Sequence, residues 1–251
     1  MHGVVLAGAL APPELQARGI ERIPALRIQG ETLLARACRC LREGGECAGV
    51  SVLAPAALDL PEQPGVARAA YSGRVMSDLF ACLTEQASVE YILLAASDLP
   101  LLTSEAVAAV KAAGLARGAD VVYPVADRKL VEQRFPGTKR TYLRVGTTAV
   151  TGGNVFCIRR EWLLARRELL QALFAKRKSV TGLARIFGLW FLLRVITGLT
   201  SFEYLERHLG HIVQGKLHAA VLPFPELTVD LDKEADLELF APYLDPWAVE
   251  A

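Results

Sequence analysis

The sequence predicts an α/β fold with a Rossmann-like, mainly parallel sheet and a helical insertion in its second half. Three observations support this fold class. Short apolar runs alternate with helical patterns through the first half of the chain. The run Tyr91–Ala96 is apolar throughout, as is typical of a strand that is buried on both faces. No internal repeat or low-complexity linker interrupts the pattern. Strands that alternate with helices are joined by right-handed crossovers, which gives a parallel sheet.

The first half contains four predicted strands and three predicted helices. The helix Thr32–Arg42 places its apolar residues on one face and is expected to end at Gly44 and Gly45. A second helical stripe begins at Val75, and Thr103 is the expected N-cap of the third helix. The predicted strands are Gly3–Ala7, Val50–Ala54, Tyr91–Ala96 and Asp120–Val125.

The second half is less regular. The basic, polar stretch Arg128–Arg144 is expected to form a long loop or a hairpin around Pro136 and Gly137. The helices between about residues 161 and 215 are expected to form an insertion before the sheet resumes. The predicted elements are the strand Asn154–Ile158, the helices Glu161–Lys176, Val180–Ile196 and Ser201–Gln214, the strand Leu217–Leu222, the short run Leu227–Asp230 and a helix from Lys233.

Composition excludes several classes of protein. The 251 residues are 52% hydrophobic and 22% charged, which excludes a disordered chain. A net charge of +1 gives no electrostatic reason to expect nucleic-acid binding. The five cysteines show no regular spacing, so we expect free thiols in a reducing, cytoplasmic setting. The N-terminus has no basic region ahead of its apolar run, unlike a signal peptide.

The segment 183–199 is strongly apolar but is interrupted by Arg185 and Arg194. A spanning helix needs roughly 20 apolar residues, so we expect a buried or lid helix here. A surface that touches a membrane or an apolar substrate is the alternative. Burial would place Trp190 and Phe191 against other helices of the chain; the expected partners are Leu163, Leu170, Phe174 and Tyr204.

Ligands of open parallel sheets bind at the carboxyl ends of the strands, so residues just after strands are the first candidates. Gly8 follows the first strand and allows backbone N–H groups to approach a phosphate. Asp98 follows the third strand, and Pro100 ends that strand's hydrogen bonding. Mg²⁺ is commonly held by one or two carboxylates together with substrate phosphates. Capping of the next helix is the alternative role for Asp98, but Thr103 already stands at that helix start.

A second group of carboxylates lies near the C-terminus. Asp230 and Asp232 point to the same side of an extended segment, because side chains alternate along it. Asp232 could instead cap the following helix, so Asp230 is the candidate metal ligand. Zinc sites are weaker candidates, because Cys38 and Cys40 face different ways on their helix.

Taken in order, these motifs resemble the nucleotidyltransferases of the GT-A type, in particular the molybdenum cofactor guanylyltransferase-like (MobA-like) NTP transferase family. The resemblance covers nearly the whole chain. It rests on the strand end Val5–Gly8, the basic loop with Arg18 and Arg22, the Ser97–Pro100 motif, the stretch Val229–Leu237, and Thr151–Asn154, which looks like the acceptor-side strand start of one bacterial branch.

The resemblance implies a magnesium-dependent enzyme that transfers a nucleoside monophosphate from an NTP to a small, phosphorylated acceptor and releases pyrophosphate. It implies one domain over residues 1–251, with a nucleotide-binding half (1–126) and an acceptor half (127–251). Implied nucleotide contacts are Leu6, Ala7, Gly8, Gly73, Ser77 (or Asp78) and Asp98. Implied metal ligands are Asp98 and Asp230. Implied catalytic residues are Arg18, Arg22 and Asp98, and candidate acceptor contacts are Lys139, Arg140, Arg144, Gly152, Gly153 and Asn154.

Two positions depart from the family pattern. Ala9 stands where the family usually has a second glycine, and Ile23 stands where it has a lysine. Arg22 or Arg18 is the expected replacement for that lysine. The departures leave a catalytically degenerate nucleotide-binding protein as one alternative. A glycosyltransferase that uses a nucleotide-sugar on the same fold is another, although Ser97-Asp98 lacks the paired acids usual in that class.

Overall fold

A computed structural model describes residues 1–176, 182, 186–240 and 249–250 of the protein. Within these ranges the strands are β1 (His2–Leu6), β2 (Arg27–Ile28), β3 (Glu31–Thr32), β4 (Val50–Leu53), β5 (Val66–Arg68), β6 (Tyr91–Ala96), β7 (Val121–Asp127), β8 (Leu143–Val145), β9 (Thr148–Gly152), β10 (Val155–Arg159), β11 (Leu217–Val221) and β12 (Val249–Glu250). The helices are α1 (Pro13–Gln16), α2 (Leu33–Glu43), α3 (Val75–Glu85), α4 (Ser104–Arg117), α5 (Arg128–Arg134), α6 (Arg160–Ala165), α7 (Arg167–Lys176), α8 (Leu189–Thr197), α9 (Phe202–Val213) and α10 (Glu234–Phe240).

The central sheet has the strand order β5-β4-β1-β6-β10-β7-β9-β8, and β11 also pairs with β7. Strands β9 and β10 run against the others, since β10 is antiparallel to β6 and β7, and β9 is antiparallel to β7 and β8. The predicted α/β class with a mainly parallel sheet is therefore confirmed. A smaller antiparallel sheet, β12-β2-β3, is separate from it.

The first half of the chain folds as its pattern predicts. Strands β1 and β6 are parallel neighbours with Leu6 opposite Ala96, so their carboxyl ends meet at one edge. The Thr32 hydroxyl caps α2 by accepting a hydrogen bond from the Ala35 amide. The Thr103 hydroxyl caps α4 in the same way, and Gly118 ends that helix at a positive φ of 53°. These caps satisfy backbone N–H groups that a helix start otherwise leaves unpaired.

The expectation of a loop or hairpin over Arg128–Arg144 is wrong for its first part, which forms α5. The Asp127 carboxylate caps this helix by accepting from the Lys129 amide at 2.8 Å. A single buried residue, Val131, gave too weak a periodic signal to reveal the helix. The hairpin lies later in the chain, between β8 and β9, where Gly146 makes the turn at a positive φ.

The predicted helix Glu161–Lys176 forms two helices, α6 and α7, that are separated at Arg166. In the predicted helix Val180–Ile196, residues 180, 181 and 183–185 lie outside the described residues, and the described part contains α8. Phe191 is 7% exposed and packs near Tyr204, as expected. Trp190 is 81% exposed, so its expected burial is wrong. In the described part of the chain, no helix combines the length and the apolar content needed to cross a bilayer.

Candidate active site

The site lies at the edge where β1 and β6 end and β10 begins. The Ser97 hydroxyl donates to the Leu6 carbonyl at 2.9 Å and ties the two strand ends together. The Ala96 amide donates to the Asn154 carbonyl at 3.1 Å, which brings the start of β10 to the same place. Because these strands are buried and their ends are hydrogen-bonded to one another, the residues that follow them sit on a rigid support.

The loop after β1 is held by an arginine and a tyrosine. The Arg22 guanidinium donates to the Gly8 carbonyl at 2.8 Å. A Cβ atom on Gly8 would lie 2.5 Å from the Tyr71 hydroxyl oxygen, so only glycine leaves room for Tyr71 there. Leu6 and Ala7 complete the loop, and the Ala7 side chain is fully buried. Backbone groups at Gly8 therefore remain the ones available to a ligand.

The basic loop places its two candidate arginines differently. Arg22 lies beside Gly8, whereas Arg18 is exposed just beyond α1. Ile23, at the position of the family lysine, is 2% exposed and belongs to the hydrophobic core. A side chain that is buried in the core cannot reach a phosphate, so Arg22 is the better-placed replacement for the lysine.

The turn before α3 and the first turn of that helix carry three of the implied nucleotide contacts, Gly73, Ser77 and Asp78. Gly73 has a φ of +82° and is exposed, with nothing within 4 Å of an added Cβ. Ser77 is half-buried on the first turn of α3. The Asp78 carboxylate is occupied, because it accepts hydrogen bonds from the Ser72 amide at 3.0 Å and the Ser72 hydroxyl at 2.6 Å. Asp78 thus shapes the turn, and Gly73 and Ser77 are the accessible positions.

Asp98 and Asp230 are brought together by the segment that follows β11. The Asn154 amide donates to the Leu227 carbonyl, and the Leu231 amide donates to the Asp98 carbonyl at 2.9 Å. These bonds align residues 227–231 along the strand ends. The Asn154 side-chain amide also lies 3.4 Å from Asp230 Oδ2. Asp98 Oδ1 is buried and has no hydrogen-bond partner within the described ranges.

Burial raises the pKa of Asp98 to about 6, and the negative charge of Asp230 adds to the rise. Burial and the same neighbour also raise the pKa of Asp232. Carboxylates that are desolvated and close together repel one another, which is why their charged forms are disfavoured. A cation placed between them would relieve that repulsion.

Arg140 supplies positive charge that partly offsets the repulsion between these carboxylates. Its guanidinium forms an ion pair with Asp230 Oδ1, and both side chains are largely buried. Lys139 is exposed on the same loop. The two basic residues line a polar cavity of about 420 Å³ together with Gly137, Thr138, Asp230, Asp232, Lys233, Asp236, Leu239 and Phe240. The candidate acceptor contacts Lys139 and Arg140 therefore adjoin one of the two candidate metal ligands.

The glycines before β10 leave space for neighbouring groups. A Cβ atom on Gly152 would overlap the Tyr123 hydroxyl, and Gly153 is packed between Pro124 and Leu227. The Gly153 amide donates to the Pro124 carbonyl at 2.8 Å. This register holds Asn154 at the carboxyl edge of β6. The aliphatic part of Arg144 packs against Gly198 at the end of α8, and its guanidinium donates to the Gly146 carbonyl.

Sequence reasoning missed two tyrosines of this region. Tyr71 lies just beyond β5, a strand of three residues that is too short to give a periodic signal. Tyr123 lies in β7, where it stacks on Phe156 with ring centroids 5.5 Å apart. An aromatic residue two positions before Gly73 was the available signal for Tyr71. Only the β7–β9 pairing reveals that Tyr123 lies against Gly152.

The donor set at Asp98 and Asp230 fits a hard divalent cation. Carboxylate oxygens are the ligands that Mg²⁺ prefers, and two carboxylates with substrate phosphates are a common set. The buried, unpartnered Asp98 Oδ1 is an oxygen that a cation would satisfy. No cluster of three or more His, Cys, Asp or Glu is suited to a metal among the residues described. All five cysteines are buried and free, and burial raises the thiol pKa of each of them.

The same fold occurs in solved structures of several transferases. A structure described as a hypothetical transferase from Thermus thermophilus is 27% identical, covers 94% of this chain and 98% of its own, and has a TM-score of 0.80. The 2-C-methyl-D-erythritol 4-phosphate cytidylyltransferase from the same species is 16% identical, covers 94% and 95%, and has a TM-score of 0.53. A CMP:2-keto-3-deoxy-manno-octonic acid synthetase complexed with CTP is 10% identical, covers 97% of each chain, and also has a TM-score of 0.53.

The last two likenesses show the fold alone. Among curated proteins none matches the sequence. The family comparison is direct, because the model of the MobA-like NTP transferase domain matches residues 22–190, which is more than half of the chain. The protein belongs to the MobA-like NTP transferase family.

Proposed function

We propose that the protein transfers a nucleoside monophosphate from an NTP to a small phosphorylated acceptor and releases pyrophosphate. The observation that carries the proposal is the carboxylate pair Asp98 and Asp230. It stands at the strand edge that also holds the Gly8 loop, and the polar cavity that Lys139 and Arg140 line adjoins it. Family membership and the fold shared with cytidylyl-transferring enzymes support this reaction type.

The nucleotide would lie along Leu6, Ala7 and Gly8, where the Gly8 backbone is available to it because the Leu6 carbonyl and the Ala7 amide are hydrogen-bonded within the protein. Gly73 and Ser77 would lie near its base. Arg22, which is fixed beside Gly8 by its hydrogen bond, would neutralise the β- and γ-phosphates. An arginine next to a phosphate-binding loop stabilises charge as it builds up on the leaving group.

The acceptor would enter from the cavity of Lys139 and Arg140 and would pass towards Asn154, which contacts the lining residue Asp230 and follows Gly152 and Gly153. Its oxygen would attack the α-phosphorus, and the bond between that phosphorus and the bridging oxygen of the pyrophosphate would break. The electron pair leaves with pyrophosphate. Little covalent chemistry is required of the protein in such a transfer, so positioning and charge neutralisation provide most of the acceleration.

Asp98 and Asp230 would hold Mg²⁺. When bound, this ion would supply positive charge next to the reacting phosphate. The protein's own part is to present two oxygens at a fixed place. Asp98 is fixed by the end of β6, and Asp230 by the hydrogen bonds that align residues 227–231.

The test is pyrophosphate release from each NTP with Mg²⁺ and a panel of phosphorylated acceptors. We expect release with one NTP and one acceptor class. Asp98→Asn and Asp230→Asn should each lower it by at least about 100-fold, because each removes a charge from the site. The matched control is Asp59→Asn, an exposed carboxylate on the loop after β4.

Other outcomes would contradict the proposal in distinct ways. NTP binding without release, with any acceptor, would identify a degenerate nucleotide-binding protein. Turnover of a nucleotide-sugar without pyrophosphate release would identify a glycosyltransferase. Full activity of both Asn variants would show that the carboxylate pair has no part in the reaction.

A further inference from the structure

Helix α8 presents an apolar stripe to solvent. Trp190 is 81% exposed and Ile196 is 77% exposed, and Leu193 between them is also exposed. These residues are three apart, so they lie on one face of the helix. Leu199 continues the exposed apolar surface just beyond the helix end. We call these four residues the α8 stripe.

The opposite side of α8 is already packed. Phe191 is buried and stacks on His208 with ring centroids 4.4 Å apart. It also packs near Tyr204, and both residues belong to α9. At the C-terminal end, the aliphatic part of Arg144 packs against Gly198. One side of α8 is therefore packed against the rest of the protein. The α8 stripe is a second apolar face, which does not pack against the described core.

The sequence around the stripe is cationic. From residue 169 to residue 202 there is no Asp or Glu, and the basic residues are Lys176, Arg177, Lys178, Arg185 and Arg194. The whole chain has a net charge of only +1, so positive charge is concentrated in this part of the sequence. Among the described side chains, Arg194 stacks over Tyr204 at 4.4 Å and donates to the Leu199 carbonyl. Arg144 adds a second guanidinium near the end of the stripe.

We propose that the α8 stripe docks the protein on an anionic lipid surface. A helix with tryptophan and aliphatic residues on one face and basic residues around it is suited to lie in the plane of a membrane interface. Anionic headgroups complement Arg194 and Arg144, and each basic residue near the surface adds to the attraction. A second copy of the chain fits less well, because pairing two such stripes would bring Arg194 and Arg144 of the two copies together. The proposal does not depend on the proposed reaction.

The experiment is vesicle co-sedimentation of the full chain. One set of vesicles is phosphatidylcholine alone, and the other also contains about 30% phosphatidylglycerol as the anionic lipid. We expect binding to the anionic vesicles, little binding to the neutral ones, and loss of binding at high salt, since salt screens the attraction. This comparison uses the unaltered protein and tests the proposal by itself.

The double variant Trp190→Ser/Ile196→Ser tests the stripe. Both side chains are exposed, so the fold should be kept, and its unfolding midpoint should match that of the unaltered protein. Its partition onto anionic vesicles should fall by at least about tenfold, because two large apolar side chains no longer enter the interface. The matched control is Leu115→Ser, an exposed leucine on α4, which should bind as the unaltered protein does.

Three results would overturn the proposal. The first is no sedimentation with anionic vesicles. The second is equal sedimentation of the double variant and the unaltered protein. The third is a concentration-dependent dimer, seen by analytical ultracentrifugation without lipid, that the double variant fails to form; this would assign the stripe to a second copy of the chain.

Discussion

The Arg140 guanidinium forms an ion pair with the carboxylate of Asp230, ninety positions along the chain. Asp230 is also the proposed partner of Asp98 in holding a divalent cation. In that proposal, the Asp230 carboxylate would interact with two positive charges, the Arg140 guanidinium and the bound ion. Binding of an ion at this carboxylate would weaken the ion pair and would free Arg140 towards the cavity that Lys139 also lines.

The first prediction follows from this competition. Arg140→Gln should bind Mn²⁺, used as a probe for Mg²⁺, several-fold more tightly than the unaltered protein, because the ion no longer competes with a guanidinium. The same variant should have a higher KM for a phosphorylated acceptor. Mn²⁺ binding is measured by electron paramagnetic resonance of the free ion.

Lys129→Gln is the control for the loss of one positive charge, since Lys129 is exposed on α5. It should leave both quantities unchanged. Weaker Mn²⁺ binding by Arg140→Gln would mean that Arg140 supports the carboxylate pair rather than competing with the ion.

The second prediction concerns pH. Burial and the charge of Asp230 raise the pKa of Asp98 from 3.8 to about 6. Between these two pH values Asp98 keeps its proton in the folded state, whereas it has already lost the proton in the unfolded state. Without divalent cations, ionisation of Asp98 therefore lowers the free energy of unfolding as pH rises through this window. Asp98→Asn removes the charge and keeps the shape. Above about pH 6 the variant should be more stable by about 1–3 kcal/mol, and the difference should vanish near pH 4.

The measurement is urea unfolding of both proteins from pH 4 to pH 8 in the presence of a chelator. A difference that is constant with pH would show that Asp98 is not the titrating group. If Asp98→Asn is less stable than the unaltered protein at pH 8, the fold stabilises the charged Asp98 carboxylate.

The third prediction compares two arginines that each donate to a glycine carbonyl, Arg22 in the basic loop and Arg27 in β2. Arg22 bonds to Gly8 at 2.8 Å, and Arg27 bonds to Gly30 at 3.2 Å. Arg22→Ala should lower kcat/KM for the NTP by about tenfold or more, because it removes both a charge at the proposed pyrophosphate position and the support of the Gly8 loop. Arg27→Ala should have little effect. Steady-state pyrophosphate release measures both, and equal effects would assign the role to Arg18 or another cation.

Much of the fold could be predicted because strands and helix caps depend on residues that are close together in the sequence. The run Tyr91–Ala96 forms β6, as its unbroken apolar pattern predicts; four of its six residues are buried, and Leu94 and Ala96 are partly buried. Thr103 is an N-cap, and its position before an apolar stripe is sufficient to predict it. The candidate ligand Asp98 follows from the same strand, because a carboxylate after a buried strand lies at the sheet edge.

Relationships set by tertiary contacts could not be read in this way. The pairing of Arg140 with Asp230 depends on how two distant segments meet at the strand ends. The exposure of Trp190 depends on which side of α8 faces α9, and a nearly continuous apolar run does not reveal it. Helix α5 was missed because one buried valine gives no period.

The last prediction tests why position 8 is glycine. A Cβ atom there would lie 2.5 Å from the Tyr71 hydroxyl oxygen, while the Tyr71 ring atoms lie 3.3 Å away or more. The hydroxyl is thus the conflicting group.

Gly8→Ala should push Tyr71 aside, disturb the loop and weaken NTP binding several-fold. Tyr71→Phe alone should bind almost normally. The double variant should recover most of the loss, because phenylalanine leaves room for the methyl group. A double-mutant cycle on the NTP dissociation constant measures this coupling. If the effects of Gly8→Ala and Tyr71→Phe are additive, packing against Tyr71 is not the reason for glycine at position 8. The reason would then be the contact of the Gly8 backbone with the nucleotide.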